Sequence, residues 1–221
     1  VIFRYNEVIS IKIRGIKMEL KELKERMSHQ KLYYCNHDEL IKEQTICLER
    51  LYDFNQTRPS EHEKRLALLK KMFASIGENC YIEPPLRANW GGKHVHFGDG
   101  VYANFNLTLV DDCEIIVGNH VMFGPNVTVS AGTHPIHPEL RRKQAQYNLP
   151  IKIGNNVWIG ANAVVLPGVS IGDNTVIGAG SVVTKNIPAN VVAVGNPCRV
   201  LREINEQDLT YYHRDMIIDI D

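Results

Sequence analysis

Nine histidines are spread over the 221 residues, and five of them, His94, His96, His120, His134 and His137, fall between positions 94 and 137. A neutral imidazole can take a proton from a hydroxyl or ligate a metal, so these residues are the first to weigh for chemistry. His94 and His96 are two apart and on a strand would point to the same side. With a third ligand and an open position they could hold a catalytic zinc. His134 has a different setting, in Thr133-His134-Pro135 within a polar run from Gly132 to Pro150 that also holds His137, Pro138, Arg141, Arg142 and Lys143. Cys35, Cys47, Cys80, Cys113 and Cys198 are odd in number, scattered and without a CxxC pair, which points to reduced thiols in a cytoplasm. Gly178-Ala179-Gly180 lacks the strand–helix setting and the remaining glycine of a dinucleotide fingerprint, and there is no Walker A sequence.

Two textures must position these residues. From Met18 to Phe73 apolar residues recur at helical spacing, as in Leu20, Leu23, Met27 and again Ile41, Leu48, Leu51, Tyr52, so two or three short helices are expected. Pro59-Ser60-Glu61-His62-Glu63 offers Ser60 as an N-cap with Glu63 three residues on, which predicts a helix over 60–74. After Ile76-Gly77 a period of six appears: Ile153, Ile159, Val165, Ile171, Ile177 and Val183. At 44% apolar composition, six hits in one frame arise by chance about 0.7% of the time, so the repeat is real. Four residues after these anchors stand Val157, Ala163, Val169, Thr175 and Ser181, all small or β-branched. Two inward positions per six residues describe a short strand and a turn.

Three such hexapeptides closing one triangular coil of 18 residues make a left-handed parallel β-helix, against the usual right-handed crossover preference. Upstream, Phe97, Ala103 and Leu109 share one frame while Val117, Phe123 and Val129 share another displaced by two, which places an excursion near Asp111–Glu114. The frame also breaks from 132 to 150, an insertion expected to project as a functional loop. Asn106-Leu107-Thr108 and Asn126-Val127-Thr128 match the glycosylation sequon but read as repeat corners. The resulting division is 18–75 helical, 76–200 β-helix with loop 132–150, and 201–221 a C-terminal tail. Residues 1–17 read as an extension with no assigned function. Their longest uncharged apolar run, Val8-Ile9-Ser10-Ile11, is too short for a signal peptide or a membrane span. With 25 basic and 25 acidic residues the formal net charge is zero, which argues against nucleic acid or anionic membrane as a partner.

Taken together, these segments resemble the hexapeptide-repeat acyltransferases, most closely the galactoside and maltose O-acetyltransferases. The resemblance runs from about Lys31 to Ile204. It is carried by Pro59-Ser60-Glu61 with Glu63-Lys64-Arg65, Tyr102-Ala103-Asn104-Phe105-Asn106, Thr133-His134-Pro135, Ile153-Gly154-Asn155-Asn156-Val157-Trp158-Ile159-Gly160 and Gly195-Asn196-Pro197-Cys198-Arg199-Val200. It implies a cytoplasmic homotrimer with acetyl-CoA in a groove between subunits and direct transfer to a sugar hydroxyl, without a metal. His134 matches the family's general base, and Asn104 the residue near the reacting carbonyl and the sugar. Asp112 matches a sugar-binding aspartate. Asn89 lies where relatives carry Ser or Asp touching the acceptor, and Cys35 where one has an acceptor-contacting Asp. For the cofactor the pattern carries over onto Trp158, onto Ala161 and Ala179 through backbone groups, onto Thr184 and Lys185, and onto Arg199 and Arg202 near the nucleotide. Ala161 replaces a relative's Ser. Related β-helices house zinc carbonic anhydrases, so metal-dependent hydration is a second reading; a non-enzymatic scaffold is a third. Galactosides, maltose, glucose, other hydroxyl compounds and xenobiotics are all acceptors compatible with the resemblance.

Overall fold

The computed structural model describes residues 18–35 and 37–220; the reading of residues 1–17 lies outside them. Three helices come first: α1 (Leu20–Ser28), α2 (Asp38–Asn55) and α3 (His62–Met72). The start of α3 differs from expectation. Its N-cap is Glu61, not Ser60, and no side chain caps it, because the Glu61 carboxylate turns back to accept the Arg58 N–H at 2.7 Å.

From Ser75 the chain winds as a parallel β-solenoid of about 6 turns. Each coil lays one short strand on each of three faces. The first face stacks Ser75–Ile76, Val95–Phe97, Ile115–Val117, Ile151–Ile153 and Ser170–Ile171. The second stacks Tyr81–Ile82, Tyr102–Ala103, Met122–Phe123, Trp158–Ile159, Val176–Ile177 and Val191–Val194, with Arg199–Glu203 added antiparallel at its end. The third stacks Arg87–Ala88, Thr108–Val110, Thr128–Ser130, Val164–Val165 and Val182–Val183. Ile153 pairs with Ile171, Ile159 with Ile177 and Val165 with Val183, so each anchor sits on its counterpart eighteen residues away. Val157, Ala163, Val169, Thr175 and Ser181 all point inward and are buried.

Corners need backbone in the left-handed region, and asparagine tolerates it best among residues with a side chain. Asn106, Asn126, Asn156, Asn162, Asn174 and Asn190 all have φ between 54° and 61°. Their amides stack: Asn106 donates to Asn126 at 3.1 Å, Asn156 to Asn174 at 3.1 Å and Asn174 to Asn190 at 2.9 Å. Both sequons are therefore repeat corners.

The two-residue slip is where the frames placed it. Phe97 pairs with Val117 and Leu109 with Val129, twenty residues on in each case. The 132–150 insertion is more ordered than an open loop. Gly132–Thr133 pairs antiparallel with Tyr147–Asn148, a one-turn helix α4 (Pro138–Arg142) closes the hairpin, and Ala145–Gln146 pairs with Tyr33–Tyr34. The insertion is thus a hairpin clamped to the N-terminal segment. That segment joins the solenoid core through Leu51, Phe54, Leu69, Met72 and Phe73, and forms its own cluster of Leu23, Met27, Tyr33, Leu40 and Trp90. The strand Arg199–Glu203 crosses the expected start of the tail at 201, and a small hairpin, Tyr211–His213 with Met216–Ile217, follows it.

Candidate active site

A cleft of about 500 Å³ opens where α2, the third face and the hairpin meet. It is large enough for a small organic substrate. It is lined by Leu48, Leu51 and Asn55 of α2, by Arg87, Asn89 and Thr108 on and after the third face, and by Asp112, His134 and Gln146. His134 Nδ1 lies 2.9 Å from the Ala145 carbonyl oxygen. A carbonyl can only accept, so Nδ1 carries the proton and Nε2 keeps a lone pair. The hairpin register that brings Thr133 opposite Tyr147 also puts Ala145 within reach of this ring.

Asp112 sits at the frame slip and is 6% exposed. Its Oδ1 accepts both Asn89 Nδ2 at 2.9 Å and Trp90 Nε1 at 3.2 Å. Oδ2 has no donor among the described residues and is not sealed from the cleft. Burial pushes this carboxyl above the ordinary carboxylate range, against the opposing pull of the Asn89 and Trp90 donors. A Cβ on Gly132 would overlap Asp112 Oδ2, so a larger residue there would displace that carboxylate. Gln44 Nε2 holds the Asn89 carbonyl at 2.9 Å. Burial, with a smaller push from Asp112, raises the Cys35 pKa, so it is a protonated thiol; it packs against the Leu23, Met27, Tyr33, Leu40 and Trp90 cluster and does not line the cleft.

The remaining candidates divide between two edges of the prism. Thr184 and Lys185 follow the third face and share an edge with Asn89, Asp112 and His134. Asn104, Ala161 and Ala179 follow strands of the second face and line the next edge, with Trp158 half exposed beside them. The left-handed corner residue is Asn106, two residues past Asn104. Asn104 Oδ1 accepts the Phe105 N–H at 2.8 Å, which leaves its Nδ2 without a partner among the described residues. The N–H groups of Ala161 and Ala179 likewise find no acceptor among them. Arg199 and Arg202 stand on the antiparallel strand that ends the second face. Arg202 is held by Asp208 through two hydrogen bonds of 2.7 Å. A single chain therefore brings Asn89, Asp112 and His134 together and leaves Asn104, Trp158, Ala161 and Ala179 on another edge.

Several site residues carried no sequence signal. Asp111 is fully buried and holds the loop before the second coil, accepting the N–H of Trp90 at 2.7 Å and of Gly92 at 2.9 Å. Trp90, Tyr33, Gln146 and Asn148 follow no local pattern, and the frame slip near Asp111–Glu114 is the sequence cue that points to this region. The histidines scatter. His94 faces the Asp111 carbonyl, His96 pairs with Ser75 and Glu114, and His137 caps α4. Among the described residues no three His, Cys, Asp or Glu side chains converge on one point.

Comparison with known proteins matches these features. Residues 26–77 match the maltose acetyltransferase hexapeptide capping motif, and residues 150–185 the bacterial transferase hexapeptide repeat. A galactoside O-acetyltransferase of Lactococcus lactis is 58% identical over 89% of this chain and 95% of its own. A galactoside acetyltransferase solved with coenzyme A superposes with a TM-score of 0.87, at 48% identity over 92% of this chain and 100% of that one. A maltose O-acetyltransferase from Clostridium difficile gives a TM-score of 0.81 at 45% identity, over 83% and 98%. Solenoid, helical cap and interrupting hairpin define an acetyltransferase built on hexapeptide repeats. Within that class the chain belongs to the galactoside and maltose O-acetyltransferase family.

Proposed function

We propose that the chain transfers the acetyl group of acetyl-CoA to a hydroxyl of a sugar of the galactoside, maltose or glucose class, directly and without an acyl-enzyme. The observation that carries this reading is the pairing of a lone-pair-bearing His134 Nε2 with an undonated Asp112 Oδ2 on one cleft. A sugar presents several hydroxyls, and a carboxylate oxygen without a protein donor is an acceptor for one of them. The reacting hydroxyl gives its proton to His134 Nε2 as its oxygen attacks the thioester carbonyl. The tetrahedral oxygen so formed needs a donor, and the free Nδ2 of Asn104 is suited to supply it. Collapse expels the CoA thiolate, which takes the proton back from the imidazolium.

Asn104 and His134 stand on different edges, which favours a homotrimer in which one chain's acceptor edge meets a neighbour's Asn104 edge. CoA would lie in the groove between them, its amide chain on the open N–H groups of Ala161 and Ala179 beside Trp158, its phosphates near Thr184, Lys185, Arg199 and Arg202. In this reading Asn89 and Asp112 hold the acceptor, Cys35 shapes the wall behind them, and the helical segment 18–75 closes the cleft above the 76–200 solenoid. No helix of the described residues is long and apolar enough to cross a membrane, and five unpaired cysteines fit a reducing cytoplasm. The test is thiol release from acetyl-CoA with galactosides, maltose, glucose and non-sugar alcohols, followed by mapping of the acetylated hydroxyl. Release with non-sugar alcohols alone would overturn the sugar assignment. A fully active monomer in sedimentation would overturn the shared site.

A further inference from the structure

A buried chain of side chains ties three separated parts of the site together. Tyr33, 1% exposed, donates its hydroxyl to Asn148 Oδ1 at 3.1 Å and accepts from Gln146 Nε2. Asn148, fully buried, spends both amide protons on backbone carbonyls: Met27 O at the end of α1 and Asp112 O at the frame slip, each at 3.1 Å. The strand Ala145–Asn148 thereby carries the His134 anchor at Ala145, a cleft wall at Gln146 and the tie to Asp112 at Asn148.

Tyr33 is an expensive choice for its place. It packs with Leu23, Met27, Leu40 and Trp90, where phenylalanine would fill the same space without desolvating a hydroxyl. What the phenol adds is the pair of bonds to Asn148 and Gln146. Burial also raises its pKa far above the ordinary phenol value, so it remains a donor at any working pH. Asn148 in turn satisfies two carbonyls that belong to the cap and to the slip, and nothing else in the hairpin reaches either of them among the described residues.

We propose that Tyr33 and Asn148 are positioning residues for acyl transfer: they lock the strand that anchors His134 to the backbone of Asp112, and so fix the base relative to the carboxylate that faces the acceptor. This inference rests on the reading of His134 as the base. It predicts that loosening the chain misaligns base and acceptor while leaving the CoA edge untouched.

The test measures kcat and both KM values for Tyr33→Phe and Asn148→Ser below their melting temperatures, with Tyr34→Phe and His134→Ala alongside. Tyr33→Phe should lower kcat about tenfold, since small misplacements of reacting groups cost one to two orders of magnitude. Asn148→Ser should lower it further, and the acetyl-CoA KM should hold in both. Tyr34→Phe, the same change on the exposed neighbour, should leave every constant unchanged. A lowered Tm with wild-type kcat in both buried variants would make the chain purely structural and overturn the proposal, as would failure of both to fold. If His134→Ala is inactive while both buried variants turn over normally, only this inference fails. If His134→Ala retains turnover, the base assignment fails and takes this inference with it.

Discussion

Residues 151–183 and residues 76–150 are wound on the same three-faced plan, but they differ in how strictly they keep it. In the later half the coil never departs from eighteen residues, as Ile153 over Ile171 and Val165 over Val183 show. In the earlier half it departs three times. Ala88 lies over Leu109, Leu109 over Val129, and Val129 over Val165, which are spacings of twenty-one, twenty and thirty-six. The extra residues hold Asn89 and Trp90 in the first case, Asp111 and Asp112 in the second, and His134 in the third. All three excess segments leave from the edge after the third face, so they pile into one cleft. Regular coils instead repeat one corner geometry, and their open N–H groups at Ala161 and Ala179 make a straight rail. Repetition suits a long, linear ligand; interruption suits a compact one.

The largest effect should come from the interruptions. His134→Ala should lower kcat by about 10²–10⁴, the usual contribution of a positioned general base, with the acetyl-CoA KM unchanged. Steady-state kinetics at saturating acceptor measure it, and a variant that keeps most of its turnover would remove the hairpin from the chemistry.

The regular half should respond in stability instead. Ile159 is fully buried between Phe123 and Ile177. Ile159→Ala should cost about 2–5 kcal/mol of folding free energy through lost burial and a residual cavity. The surviving folded protein should turn over at the wild-type rate. A large kcat loss at temperatures well below Tm would mean that the scaffold is not passive and would blur the comparison.

The same contrast decides what could be read from sequence. A solenoid needs the same kind of side chain at the same place in every coil, so the inward anchors repeat visibly, and a two-residue slip shows as a change of frame between Leu109 and Val117. His134 is legible because Thr133-His134-Pro135 stands where the six-residue frame breaks. Tyr33 and Asn148 are not, because their bond joins positions 115 apart and neither departs from any local pattern. The start of α3 lies one residue past the serine that local preference selects, because the Glu61 carboxylate accepts the Arg58 N–H. Trp90 and Asp111 are buried by a loop whose course no period describes.

Asp112 gives the next effect, in affinity and in pH dependence. In Asp112→Asn the amide oxygen can keep the Asn89 and Trp90 donors while the amide nitrogen replaces the free Oδ2, turning an acceptor into a donor at the cleft. The kcat/KM for the acceptor should fall about 10- to 100-fold, as expected for losing a hydrogen bond to a charged group. Burial raises the native carboxyl above its unfolded value of about 3.9. Between those two values the native chain binds more protons than the unfolded one, so this group's contribution to stability falls as pH rises through the window. The wild type should therefore weaken its acceptor binding on acidification through that window, and the Asn variant should not. A Tm measured against pH should show the variant gaining on the wild type as pH rises. Parallel curves would place Asp112 outside the titrating set.

The smallest effect tests the segment that follows the regular half, where the coil shortens to sixteen residues, as Ile177 over Ala193 shows. Lys185 and Arg199 have no acidic partner among the described residues, whereas Arg202 is held by Asp208 in a two-point pair that keeps the Asp208 carboxyl down at about 2. Free cations can meet a phosphate at little cost, but a paired one must first give up its carboxylate. Lys185→Ala and Arg199→Ala should each raise the acetyl-CoA KM about tenfold at low salt, the value of one charge-assisted contact. Arg202→Ala should raise it only about two- to threefold, within the range of an exposed ion pair. Asp208→Asn, by releasing Arg202, should lower the KM by a similar factor, and both small effects should vanish at high ionic strength. Dephospho-CoA thioesters sharpen the assignment, because the variant that loses discrimination between donors identifies the cation on the 3′-phosphate. A tenfold effect at Arg202 with none at Asp208 would mean that the ion pair opens when the cofactor binds, and that this end of the rail is rearranged by its ligand rather than built in advance.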